Sequence, residues 1–166
     1  MENRDLALAA FALQKGYSLV LVKGGKLIAA KEGRGIRPLL ELVEERGGEL
    51  QGASLADKVV GRAAAFLAAY VGLAGIYTRI ISKPALDVLR KYGIEVAFAH
   101  QVPAILNRQK TGLCPMETLS ATFKEPGEAP GKIRERLQEL QRLKNWLGIK
   151  EAERQHCPLS TQLFCY

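Results

Sequence analysis

The stretch from residue 75 to residue 100 constrains the fold more than any other. "GIYTRIIS" is a β-branched run, "SKPALDVLRKYG" has apolar residues at helical spacing behind Ser82 as a candidate N-cap, and "IEVAFAH" is a second strand-like run. A strand, a helix and a strand joined by links this short make a crossover, which sets the two strands parallel and turns right-handed. Parallel strands are stable when both faces of their sheet are covered. The expectation is a layered α/β fold, a three-layer α/β/α sandwich. A chain of 166 residues is long enough for one such domain with a real core.

The segments on either side extend this plan. "RDLALAAFALQKG" has helical spacing and stops at Gly16, and "YSLVLVK" and "KLIAAK" are two strands around a Gly24-Gly25 hairpin turn. "GRGIRPLLELVEERGG" is a glycine-rich lead into a short helix, with Pro38 in its first turn and Gly47 as its stop. "SLADKVVGRAAAFLAAY", residues 54–70, reads as a central helix with a Gly61/Ala65/Ala69 stripe packed on the sheet. The order from Ser54 to His100 is then helix, strand, helix, strand. After Phe123 the composition changes: "KEPGEAPG" is a linker, and "KIRERLQELQRLKNWLGI" is an amphipathic helix with Ile133, Leu137, Leu140, Leu143 and Leu147 on one stripe. The expected division is a domain at 1–123 and a linker with a C-terminal helical extension at 124–166. The stripe packs on the domain or on a partner chain, so a homo-oligomer is compatible with it.

The 24 basic residues outnumber the 17 acidic ones, for a net charge of +7. That balance permits an anionic partner without requiring one. The bases lie among acids, as in "LLELVEERGGEL", and no basic stripe with interleaved aromatics occurs, which argues against a nucleic-acid partner. No basic segment followed by a long apolar core marks a signal peptide, and no run approaches the ~18 apolar residues of a membrane span. Three cysteines, Cys114, Cys157 and Cys165, are too few for a disulfide framework and suit a reducing compartment, the cytoplasm.

"SLADKVVGRAAAFLAAY", "ISKPALDVLRKYGIEV" and "NRQKTGLCPMETLS", in this order, resemble a prokaryotic family known as a domain of unknown function and grouped with the cytidine deaminase fold. The resemblance covers about residues 5 to 122 and implies a deaminase-like sandwich. A zinc deaminase carries His-x-Glu at the head of its central helix and Pro-Cys-x-x-Cys at the head of the next, for the metal ligands and the proton shuttle. Here "ADKVVG" and "SKPALD" stand in those places, with Asp57 and Ser82 instead of ligands. No metal and no cofactor is expected, and deaminase chemistry does not carry over from the fold.

Several residues are candidates for the site. Ser54 and Asp57 have capping-box spacing, and an acid in a first turn also suits the helix dipole. Lys58 and Arg62, four apart on a helix, would share a face and could hold an anion at the helix head. "EGRGIRP" is a weaker anion candidate, through Gly33, Arg34, Gly35 and Arg37. In "TGLCPMETLS", Cys114 falls at an N-cap, Pro115 at the first helical position and Glu117 at the third. A thiol there meets the positive end of the dipole, while Glu117 opposes its ionisation. Asn107 and Arg108 precede it in a polar loop, and His100 ends a strand at the carboxyl edge of the sheet. His156, Cys157 and Cys165 match no metal-binding spacing.

The leading expectation is a metal-free ligand-binding protein whose cleft takes a small anionic, nucleotide-like molecule. Asp57, Lys58, Arg62, Asn107, Cys114 and Glu117 would line it. The alternatives are a zinc-independent enzyme, with Cys114 as nucleophile or Asp57 as acid/base, and a structural or assembly subunit with a vestigial pocket.

Overall fold

The computed structural model describes residues 3–147. Helix α1 (Arg4–Leu13) leads into the hairpin β1 (Leu19–Lys23) and β2 (Lys26–Lys31), and α2 (Arg37–Arg46) follows. Then come β3 (Ser54–Val60), α3 (Arg62–Val71), β4 (Gly75–Ser82), α4 (Lys83–Lys91) and β5 (Glu95–Val102). Two further helices close the described chain, α5 (Pro115–Ser120) and α6 (Ala129–Trp146).

The five strands form one mixed sheet in the order β2-β1-β3-β4-β5. The hairpin strand β1 runs antiparallel to β2 and to β3, while β3, β4 and β5 are parallel. Positive φ at Gly24 (60°) and Gly25 (74°) makes the hairpin turn, and the Asp5 carboxylate of α1 accepts from both their N–H groups at 2.7 Å. One sheet face, with Val20, Val22 and Ala56, is covered by Ala9 and Leu13 of α1. The other face carries the larger core, where Leu19, Leu21, Leu55 and Ile76 meet side chains of α2, α3 and α4. The result is the expected three-layer α/β arrangement.

One element differs from the sequence reading. Residues Ser54–Val60 form strand β3, not the first half of the central helix, so the order from Ser54 to His100 is strand, helix, strand, helix, strand. The central strand is buried on both faces, and such a strand shows a nearly continuous apolar run rather than alternation. Its Ser54-x-x-Asp57 spacing imitates a capping box, but Ser54 donates instead to Asn3 Oδ1 of the α1 cap at 3.2 Å. Helix α3 starts one residue after Gly61, which is its N-cap and lies outside any Gly61/Ala65/Ala69 stripe; Ala65 is fully buried and Ala69 only partly. Lys58 and Arg62 therefore do not share a helix face.

The segment after Phe123 is ordered by a local capping box. Glu125 and Glu128 cap a short 3-10 turn reciprocally, and the Lys132 ammonium with the Glu125 and Lys124 N–H groups holds the Glu128 carboxyl down at about 2. Helix α6 then lies on the main core through Ala129 and Ile133, both fully buried, with Leu137 and Leu140 packed against it. The stripe continues into solvent: Leu143 is 47% exposed and Leu147 61%. Leu137→Ala should therefore cost about 1–2 kcal/mol by denaturant titration, and Leu143→Ala under about 0.5 kcal/mol. Equal costs would show that α6 does not sit on the domain in solution. His156, Cys157 and Cys165 lie outside the described residues. No helix among the described residues is long and apolar enough to cross a membrane.

Candidate functional site

Three segments converge at the head of α3. Gly61 and Arg62 begin that helix, Ser82 caps α4 by accepting from Ala85 N–H at 3.2 Å, and α5 brings in Glu117. The sequence places Glu117 there by a short chain of devices. Asn107 closes its loop by accepting from Thr111 N–H through Oδ1 and donating to Thr111 Oγ1, both at 3.0 Å. Cys114 N–H then donates to Ile105 C=O at 2.9 Å, and Pro115 starts the helical turn.

Glu117 is only 5% exposed. Its Oε1 accepts from the Arg62 N–H at 2.5 Å and from the Ser82 hydroxyl at 3.3 Å, so one carboxyl oxygen ties together the heads of α3 and α4. The N-terminus of the central helix thus already has its anion-like partner, supplied from within the chain. Gly61 makes room for it: a Cβ on residue 61 would lie 2.6 Å from Glu117 Oε1 and 3.4 Å from Ile105 Cγ1. The second oxygen, Oε2, has no hydrogen-bond partner among the described residues.

Glu117 lines a small, partly open pocket, whose other walls are Ile36, Gly61, Ala63, Ala64, Ile105, Cys114 and Met116. Its interior has room for about one water-sized group. Its walls are apolar apart from the Glu117 carboxyl and the thiol of Cys114, which is 1% exposed.

The pocket gathers only part of the expected site. Glu117 and Cys114 line it, and Arg62 contributes its backbone N–H. Asp57 lies four residues upstream of Gly61 in β3, roughly 13 Å along the strand, between Leu19 of β1 and Thr78 of β4. It does not meet Cys114. Burial pushes the Asp57 carboxyl up to about 7, against the opposing pull of the Val59 and Lys58 N–H groups and the Lys58 charge. Lys58 alternates with Asp57 in the strand and so points to the opposite face of the sheet. Asn107 orders the loop before α5, and neither it nor Arg108 lines the pocket. His100 is exposed on β5, and Gly33 of "EGRGIRP" donates its N–H to Ser18 Oγ at 3.2 Å.

Sequence reading missed Gly61 as a site residue and Ser82 as a partner of Glu117. The available signal was Val59-Val60 followed by Gly61, a β-branched pair and a glycine directly before the alanine run of α3. The corrected head of α3 reads Gly61-Arg62-Ala63, and that of α4 reads Ser82-Lys83-Pro84-Ala85. Neither carries a zinc ligand, and no group of three or more His, Cys, Asp or Glu able to hold a metal occurs among the described residues. The donor set does not fit the deaminase zinc.

A five-stranded mixed sheet between α1 and the remaining helices, with a pocket where helix heads meet, defines a layered α/β protein. Residues 9–137 match the family model described as "Domain of unknown function (DUF1893)", and the chain belongs to that family. Its structure is similar to a DUF1893 family protein from Thermotoga maritima, at 30% identity and a TM-score of 0.70, over 84% of this chain and 92% of that one. It also matches the apo form of a dCMP deaminase from the cyanophage S-TIM5, at 16% identity and a TM-score of 0.44, over 59% of this chain and 99% of that one. No curated protein matches the sequence.

Proposed function

We propose that the chain is a ligand-binding protein whose pocket at the head of α3 works without a metal. The ligand presents a compact hydrogen-bond donor, such as an amino or amide group, to Glu117. The observation that carries this reading is Glu117 Oε2, an unpartnered oxygen on a side chain only 5% exposed, in a pocket with otherwise apolar walls. A buried acceptor left unpaired costs about 1–3 kcal/mol, so a donor that fills the pocket recovers that amount. An anionic, nucleotide-like ligand fits only with its charge directed outward, because Glu117 already occupies the helix head.

The test is thermal stability with methylammonium, acetamide, cytosine and inorganic phosphate as probes, for wild type and Glu117→Gln. A ligand that binds only the folded state raises the melting temperature by mass action. In Glu117→Gln the amide oxygen can keep the Arg62 bond while the amide nitrogen replaces Oε2, turning a pocket acceptor into a donor. Stabilisation by an amino or amide probe in wild type, lost in the variant and unchanged by a chelator, is the expected result. Stabilisation by phosphate alone, or equal shifts in both proteins, would overturn the reading.

A further inference from the structure

The two edges of the sheet are built differently. Edge strand β2 is protected: Lys26 and Lys31 stand at its ends, the register with β1 shifts between Leu21 and Val22, and Arg46 donates to the Ile28 carbonyl. Charged ends, a bulge and a side chain on a strand carbonyl all discourage another strand from adding there. Edge strand β5, Glu95–Val102, has no bulge and, among the described residues, no side chain bonded to its carbonyls. It is eight residues of "EVAFAHQV" with one charge at its start, no proline, and a constant register against β4 from Gly75↔Glu95 to Ser82↔Val102. Six of the eight residues are exposed, including Phe98 at 37%. A long, regular, nearly uncharged edge in open solvent is the pattern that pairs with another strand.

We propose that β5 is a self-association edge, where a second copy of this chain adds antiparallel through its own β5 to make a continuous ten-stranded sheet. This goes beyond the pocket and does not depend on it. The backbone sets the register. The Glu95 N–H donates to Ala74 C=O, so Glu95, Ala97, Ala99 and Gln101 bond inward to β4. Val96, Phe98, His100 and Val102 then present their N–H and C=O groups to the open edge. A two-fold axis normal to the sheet at Phe98 pairs these outward residues with each other: Phe98 with Phe98, and Val96 with His100. It places an aromatic cross-strand pair at the centre.

Charge selects a second copy as the occupant. Arg79 on β4 and Glu95 on β5 are exposed, lie on the same sheet face, and have no ion pair or side-chain hydrogen bond among the described residues. Within one chain they are four residues apart along the ladder, ~14 Å between Cα atoms, and do not pair. The two-fold brings the second copy's Glu95 opposite Gln101, one strand beyond β5 and two residues along from Arg79, at ~12 Å between Cα atoms; extended arginine and glutamate side chains span that distance over the small Ala97 and Ala99. Symmetry repeats the pair, so each partner strand supplies both an unpaired acid and an unpaired base.

The test is sedimentation equilibrium of the full chain over a dilution series. Wild type should form a dimer. Arg79→Glu should weaken dimerisation about tenfold, since the lost pair is counted twice and each exposed pair is modest. Adding Glu95→Arg to Arg79→Glu should restore it. His100→Pro removes an outward N–H without breaking a bond to β4 and should abolish the dimer, while its circular dichroism spectrum stays that of wild type. A monomeric wild type overturns the proposal, and so does a dimer that survives both His100→Pro and Arg79→Glu. If His100→Pro fails to fold, the charge swap alone decides: no weakening, or no restoration, refutes the β5 pairing.

Discussion

Asp57→Asn should be about 4 kcal/mol more stable than wild type at pH 8 and nearly equal to it at pH 4. The reason is the position of Asp57 in the central strand, buried between Leu19 and Thr78, neither of which carries charge. Burial raises its carboxyl from 3.8 to about 7. A raised acid binds its proton more tightly in the folded chain than in the unfolded one. The contribution to stability is therefore full below about pH 4, falls as pH rises towards 7, and stays low above it. Asparagine keeps the shape and an acceptor for the Val59 N–H, which bonds Asp57 Oδ1 at 3.3 Å, but it does not titrate. Urea titrations of both proteins from pH 4 to pH 8.5 measure the difference. A gap that opens between pH 4 and 7 is the expected result, and a constant gap would show that Asp57 does not hold its proton in the fold. A proton on Asp57 near neutrality stabilises the sheet here, away from the pocket.

Glu117→Ala should cost about 3 kcal/mol, and Gly61→Ala about 2 kcal/mol, yet the two costs should not add. Removing Glu117 strands the half-buried Arg62 N–H, takes one acceptor from Ser82 and enlarges the pocket. Gly61 has φ −95° and ψ 177°, a backbone any residue adopts, so alanine there is not strained in itself. Its Cβ acts by displacing a carboxyl 2.6 Å away, and that displacement breaks the bonds to α3 and α4. Once Glu117 is alanine, Gly61→Ala has only Ile105 at 3.4 Å to accommodate and should cost under about 1 kcal/mol. A double-mutant cycle by denaturant unfolding measures the coupling. Additive costs would mean that Gly61 is required for some reason other than Glu117.

The fold was legible wherever punctuation and periodicity agreed. Gly24-Gly25, Pro38, Gly47 and Ser82 each mark a boundary, and the structure uses each as its residue type dictates. Residues 54–60 failed for a physical reason: a strand buried on both faces loses the alternation that identifies strands, and a polar pair within it imitates a helix start. That one shift moved Asp57 and Lys58 from an expected helix head into the sheet, so Lys58 and Arg62 do not share a helix face. Cys114, Pro115 and Glu117 were legible as a helix start because their spacing is local. What Glu117 does was not, since its partners Arg62 and Ser82 are 55 and 35 residues away. Sequence spacing carries no information about a contact that only the folded sheet creates.

The Asp5 clamp on the hairpin turn bears on the order in which this chain can fold. Helix α1 is made before the sheet, but much of what it covers belongs to β3 and β4, made later. The clamp joins residue 5 to residues 24 and 25, so α1 can settle on β1 and β2 once the chain through Lys31 has been made. That early unit presents β1 as a waiting edge, and β3 adds to it antiparallel. The parallel strands β4 and β5 then extend the sheet outward, each delivered by its own crossover helix. Assembly in this order leaves β5 as the last strand laid down among the described residues, at the open edge of the sheet.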